Sequence, residues 1–197
     1  RGIGAAISKA LQDAGYAVAA SYAGNDEAAK AFTAETGIKT YKWDVADYDA
    51  CAAGIKKVED ELGPIAVLVN NAGITRDSMF HKMTPQQWKE VIDTNLSAVF
   101  RCCRLAHPHL KASGAGRVIT ISSEYATFAN PFQAAYGASK GGVDQLTKAL
   151  AIGWARDGIT VNAIVPGWTW SELTASIADE ASTAFREAIL ARTPQRR

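Results

Sequence analysis

The chain has 197 residues, 48% of them hydrophobic and 21% charged, a balance that fits a folded globular domain and argues against disorder. Twenty-one Lys and Arg against twenty Asp and Glu leave a net charge of +1, so no basic excess points to nucleic acid or an anionic membrane. No run of 18 apolar residues is present to form a membrane-spanning helix. Three cysteines, Cys51, Cys102 and Cys103, are too few for a disulfide framework, and their reduced state points to the cytoplasm.

Helices and strands alternate along the chain. Ile3, Ile7, Ala10, Leu11 and Ala14 recur at helical spacing, and Gly15 ends that helix where a positive φ is cheap. Residues 17–22 form a short apolar strand. Asn25 or Asp26 caps a helix that ends at Gly37, residues 38–43 form the next strand, and Asp44 follows it. Asp47 caps a helix carrying Cys51, Ile55, Val58 and Leu62, stopped by Gly63-Pro64. Residues 65–70 are continuously apolar, as in a strand buried on both faces.

Thr84-Pro85-Gln86-Gln87 is a capping box with Pro at the first helical position. One long helix follows through Trp88, Val91, Leu96 and Phe100, with Pro108 disturbing its end. Residues 117–122 form a strand, 134–157 a helix ended by Gly158, and 159–165 a strand closed by Pro166-Gly167. A last helix spans roughly 179–191, with Phe185, Ala188 and Ile189 on one face. Regular βα alternation predicts one α/β domain over residues 1–197, a doubly wound parallel sheet with helices on both faces. Such sheets bind ligands at the carboxyl ends of their strands.

Several residues at those ends have chemistry to offer. Gly2-x-Gly4 opens a helix, as a dinucleotide site requires for backbone approach to a pyrophosphate, although two glycines also suit a plain helix-entry turn. Asp44 is either a solvated turn residue or an acceptor for an adenine amino group. Asn70-Asn71-Ala72-Gly73 is either turn punctuation or room for a flat ring. Tyr136 and Lys140 are four apart on one helical face, and an ammonium beside a phenol lowers the phenol's pKa from about 10. A lowered pKa suits proton exchange during carbonyl–alcohol interconversion. Ser123, thirteen residues earlier at a strand end, is placed to bond the substrate oxygen. Cys102, Cys103, His107 and His109 lack the paired spacing of zinc sites and read as helix packing, so no metal is assigned. His81 reads as exposed, and Trp43, Trp88 and Trp154 as core or interface aromatics.

These motifs, in order and at their spacing, resemble the short-chain dehydrogenase/reductases over essentially the whole chain. Arg1-Gly2-Ile3-Gly4 is similar to the last half of that family's glycine motif, Asp44-Val45 to its adenine-contacting pair, and Asn70-Asn71-Ala72-Gly73 to its Asn-Asn-Ala-Gly turn. Asn95, Ser123, Tyr136 and Lys140 match its catalytic positions, and Pro166-Gly167 its nicotinamide turn. The resemblance implies a Rossmann-like fold whose first and last strands are missing from this chain. It implies Tyr136 as the acid, Ser123 polarising the carbonyl, Lys140 holding the ribose, and Asn95 holding a relay water. Ser171 stands where the family's Thr contacts the carboxamide, and Trp168 and Trp170 begin its substrate loop.

Within the family, residues 71–84 resemble 3-oxoacyl-thioester reductases, acetoacetyl-CoA reductases among them. Residues 124–133 and 168–193 look more like sugar- or gluconate-type dehydrogenases. A catalytically silent nucleotide-binding module is the alternative of another class, and the four catalytic matches argue against it. NADP(H) is expected over NAD(H), because Tyr22 stands where NAD enzymes of this fold carry an acid, and Arg1 lies in the glycine turn. The family implies a homotetramer built through helices 88–108 and 134–157.

The chain opens at Arg1 with no initiator Met and closes at Arg197 without a final strand or helix, so it reads as a piece lacking both ends. The absent first strand is central in this topology, and each buried amide left unpaired costs roughly 1–3 kcal/mol. These 197 residues expressed alone are therefore expected to aggregate and to bind NADPH poorly. A monodisperse, cooperatively melting chain that binds micromolar NADPH overturns that expectation.

Overall fold

The computed structural model describes residues 2–169 together with 187, 190 and 191. Helix α1 (Gly2–Asp13) leads into β1 (Ala19–Tyr22), α2 (Asp26–Thr36), β2 (Lys39–Lys42), α3 (Tyr48–Leu62) and β3 (Val67–Asn70). Then come α4 (Pro85–Ile92), α5 (Ala98–Ala112), β4 (Arg117–Ile121), α6 (Ala134–Trp154) and β5 (Thr160–Ile164). The expected last helix and the positions of Arg1, Trp170 and Ser171 lie outside the described residues, apart from helical Glu187, Leu190 and Ala191.

Local chemistry sets most boundaries. Asn25 caps α2 by accepting from Ala28 N at 2.9 Å, and Asp47 caps α3 by accepting from Ala50 N at 2.9 Å. Thr84 and Gln87 form the reciprocal capping box of α4. Gly37 and Gly158 close their helices with φ of 73°. Every strand is one or two residues shorter than its apolar run, because pairing ends before apolar character does.

Two helices depart from expectation. The single helix expected from Trp88 to Phe100 is divided by a π-helical segment, Asp93–Ser97. Pro108 does not end α5, which runs four residues further to Ala112. Its missing N–H falls on the solvent side above exposed Arg104, while buried Ala106 and Leu110 hold the helix to the core.

All strand pairs are parallel. β1 pairs with β2, while β4 lies between β3 and β5, with Asn70 opposite Thr120 and Ile121 opposite Ile164. Within the described residues no strand pairs with the other edge of β3. That is why its four residues are only half-buried and why α1, although amphipathic, has no fully buried residue. The core lies between the three-stranded sheet and α5 and α6, built from Val99, Cys103, Ala106, Leu110, Val118, Val143, Ile159 and Val161. α3 packs against α5, and Trp43 at the end of β2 lies flat on α3 at Gly54, where a Cβ would come within 2.4 Å of its ring. The doubly wound fold puts the carboxyl ends of β3, β4 and β5 side by side.

Candidate active site

The site is assembled from the end of β4, the start of α6 and the loop after β3. Lys140, one turn into α6, is 4% exposed and its Nζ donates to the carbonyl of Ile121, the last residue of β4, at 2.6 Å. The same Nζ lies 5.7 Å from the centroid of the Tyr136 ring. Burial pushes the Lys140 ammonium from 10.5 down to about 8, opposed only in part by Asp144 one turn further on.

Ser123 follows β4 in an extended conformation, with φ −164° and ψ 155°. Its Oγ accepts from Tyr125 N at 3.3 Å, and its hydroxyl favours the ionised form of the Tyr136 phenol. Tyr125 meets Tyr136 edge to face at 6.4 Å. Burial raises the Tyr136 pKa, the Ser123 hydroxyl opposes the rise, and the charges of Tyr125 and Asp77 add to it. The expected lowering of this phenol by Lys140 is therefore corrected. The ammonium is directed to the Ile121 carbonyl and is itself destabilised by burial, so desolvation of the phenol prevails.

Asn95 is 1% exposed in the π segment. Its Oδ1 accepts from Ile74 N at 2.9 Å, and its Nδ2 donates to Ile74 O at 3.0 Å and to Ser139 Oγ at 3.1 Å. Both amide hydrogens and one Oδ1 lone pair are thus committed to fixing the loop after β3. Ser139 in turn donates to Tyr136 O at 2.7 Å, joining Asn95 to the catalytic helix. Sequence reasoning passed over Ser139 and Ile74; a small hydroxyl between Tyr136 and Lys140 was the available signal. A Cβ on Gly73 would stand 3.6 Å from Asn95 Oδ1 and 3.8 Å from Lys140 Nζ, so the Asn-Asn-Ala-Gly turn abuts both.

The residues expected on the cofactor side lie on several elements. Gly4 lies against Asn71, where a Cβ would come within 2.7 Å of Nδ2, while Ala72 and Gly73 are exposed. Exposed Asp44 accepts from Ala46 N at 2.8 Å and so shapes its own turn, while Val45 offers its carbonyl inward. Pro166 O accepts from Glu124 N at 3.3 Å, which sets the Pro166-Gly167 turn beside Ser123. Gly2 and Ile3 begin α1. The glycines at 4 and 73 keep open a cradle that side chains would fill, which fits a dinucleotide lying across the strand ends. Also unforeseen was the grouping at β1, where Lys42 Nζ pairs with Asp26 at 2.8 Å and the Asp26 carboxylate raises the Tyr22 pKa, already raised by burial.

The short chain dehydrogenase family model matches residues 1–182, and the chain belongs to that family. It is 61% identical over 194 residues to an acetoacetyl-CoA reductase of Paracoccus denitrificans, covering 98% of this chain and 79% of that protein. It is 43% identical to a 3-oxoacyl-(acyl-carrier-protein) reductase of Staphylococcus aureus, with 98% and 79% covered. A gluconate 5-dehydrogenase from Burkholderia cenocepacia, solved with NADP and tartrate, superposes with a TM-score of 0.88 at 35% identity, covering 98% of this chain and 77% of that one.

The buried ammonium has a measurable consequence. A lysine with a folded pKa near 8 and an unfolded one near 10.5 binds its proton more weakly when folded, so stability rises with pH through that window. Relative to Lys140→Met, the wild type is expected to gain roughly 3 kcal/mol between pH 7 and 10.5. Urea denaturation of both proteins across that range checks it, and a pH-independent difference contradicts the desolvated ammonium.

Proposed function

We propose that this protein is an NADPH-dependent carbonyl reductase that acts on a 3-oxoacyl thioester such as acetoacetyl-CoA and yields the 3-hydroxyacyl product. The observation that carries the reading is the buried Lys140, bonded to the last residue of β4 with its Nζ 5.7 Å from the centre of the Tyr136 ring, at the strand ends where this family works. The acyl-thioester class rests on the relatives at 61% and 43% identity. A gluconate-type dehydrogenase is the second reading, favoured by the solved neighbour of that activity.

The reduced nicotinamide, when bound, supplies the hydride. Tyr136 gives its proton to the substrate oxygen, and its raised pKa keeps the phenol protonated for that step. Ser123 donates to the same oxygen and holds it against Tyr136. Lys140 spends one N–H on Ile121 and has two left for the ribose hydroxyls. Asn95 holds the loop on which the nicotinamide side rests, and its second Oδ1 lone pair is the acceptor for a relay water.

NADP(H) is favoured over NAD(H) by charge. Asp26 beside Tyr22 is neutralised by Lys42, so no bare carboxylate repels a 2′-phosphate at the end of β1. Gly2, Ile3, Gly4, Asp44, Val45, Asn71, Ala72, Gly73, Pro166 and Gly167 complete the cofactor surface, with Arg1 and Ser171 assigned from sequence alone. The buried free thiols Cys51, Cys102 and Cys103 suit the reducing cytoplasm. No helix of the described residues is long and apolar enough to cross a membrane.

Assay with acetoacetyl-CoA and a keto-sugar acid, each with NADPH and NADH, tests the assignment; greater kcat/KM with NADH or with the sugar acid overturns it. Tyr136→Phe is expected to lower kcat at least a thousandfold while NADPH still binds, and a loss within tenfold, ~1.4 kcal/mol, removes Tyr136 as the acid.

A homotetramer assembled through α5 and α6 is part of the same proposal. A groove of about 290 Å³ between them is lined by Phe100, Cys103, His107, Leu150 and Trp154. Phe100 is 52% and Ile152 82% exposed on these helices. Light scattering on the full-length protein is expected to show a tetramer that Phe100→Glu reduces to smaller species, whereas a monomeric wild type refutes it.

A further inference from the structure

Arg101 lies on α5, beyond the π segment and away from the reacting groups. One of its nitrogens, Nη1, donates to two backbone carbonyls, Asp93 O at 2.9 Å and Val45 O at 3.4 Å. Its Nη2 lies 3.6 Å from Asp93 Oδ1, and the side chain is only 17% exposed. Asp93 opens the π segment, where its carbonyl also accepts from Ala98 N five residues on. Val45 closes the turn after β2, and its carbonyl also faces the Cys51 thiol at 3.6 Å. A single guanidinium therefore joins two turns that are 48 residues apart in sequence. One belongs to the cofactor's adenine side, and the other carries Asn95.

We propose that Arg101 is a positioning residue that fixes the turn at residues 44–45 relative to the π segment, so that occupation of the adenine subsite orders the backbone around Asn95. The planar fork suits this task, because Nη1 serves both carbonyls while the rigid plane holds Nη2 toward Asp93 Oδ1, two separated nitrogens that a single ammonium cannot supply. The coupling is reciprocal, so displacement of the π segment weakens adenine binding by the same factor. The proposal rests on the reading of Asp44-Val45 as a cofactor contact and not on the identity of the carbonyl substrate.

Hydrogen exchange with adenosine 2′,5′-bisphosphate, which lacks the nicotinamide half, separates this coupling from direct contact. In the wild type, saturating bisphosphate is expected to slow amide exchange at residues 44–46 and also at 93–98. In Arg101→Met it is expected to protect 44–46 only, with its Kd raised about tenfold. Arg101→Lys, which keeps the charge, is expected to behave as Arg101→Met does, and it carries the test if the Met variant does not fold. NADPH turnover of acetoacetyl-CoA should show both a higher KM for NADPH and a lower kcat at saturation.

The proposal is overturned if wild-type residues 93–98 are not protected, if Arg101→Met keeps that protection, or if Lys restores it fully. A raised KM with unchanged kcat also overturns it, since Arg101 then only props the adenine turn. A wild type that shows the coupling but does not reduce acetoacetyl-CoA refutes the substrate assignment and leaves this inference standing.

Discussion

The bond from the Lys140 ammonium to the Ile121 carbonyl is the constraint around which the site is arranged. It joins the last residue of β4 to the first turns of α6, and it does so with a charge held almost entirely out of water. One of the ammonium's three hydrogens is bonded, and its depressed pKa records the cost of burying the charge. Because the ammonium is tethered to the strand, Tyr136 one turn earlier is carried toward the end of β4, its ring centre 5.7 Å from Nζ. Catalytic helix and strand end are thereby registered by one hydrogen bond rather than by apolar packing alone.

A second constraint comes from the interruption in what would otherwise be one helix. The π segment places Asn95 in the interior, facing the loop after β3 and the Ser139 hydroxyl of α6. Three separate elements then meet at one amide. An unpaired amide at 1% exposure would be costly, so its full engagement makes the arrangement self-enforcing. A neighbouring glycine serves the same end by what it lacks. Gly4 lets α1 approach Asn71, where a Cβ would come within 2.7 Å of Nδ2. The cofactor surface that results is made of backbone and small residues, which suits a flat, multiply charged ligand.

The electrostatic outcome differs from a simple pairing of lysine and phenol. Two groups buried together each resist their charged form, so the phenol stays protonated and the ammonium weakens. A protonated phenol has a proton to give, as reduction of a carbonyl requires, but burial makes it a weaker acid. The combination also leaves the charge state of the site sensitive to whatever displaces water from it.

Much of this was legible from residue order alone. Helix caps at Asn25, Asp47 and Thr84 and the glycine stops at 37 and 158 act locally, so the chain displays them directly. Strand–helix alternation fixed the parallel sheet, and a motif series from Gly2-x-Gly4 to Pro166-Gly167 marked the strand ends that form the site. Tertiary structure alone decided the rest. The π segment arises because Asn95 must reach Ile74 and Ser139, partners 21 and 44 residues distant, and helical periodicity is blind to such demands. Pro108 continues its helix because Leu110 is buried beyond it. The direction of the Tyr136 shift depends on how much water each group loses, and burial is a property of the packed fold, not of a spacing of four.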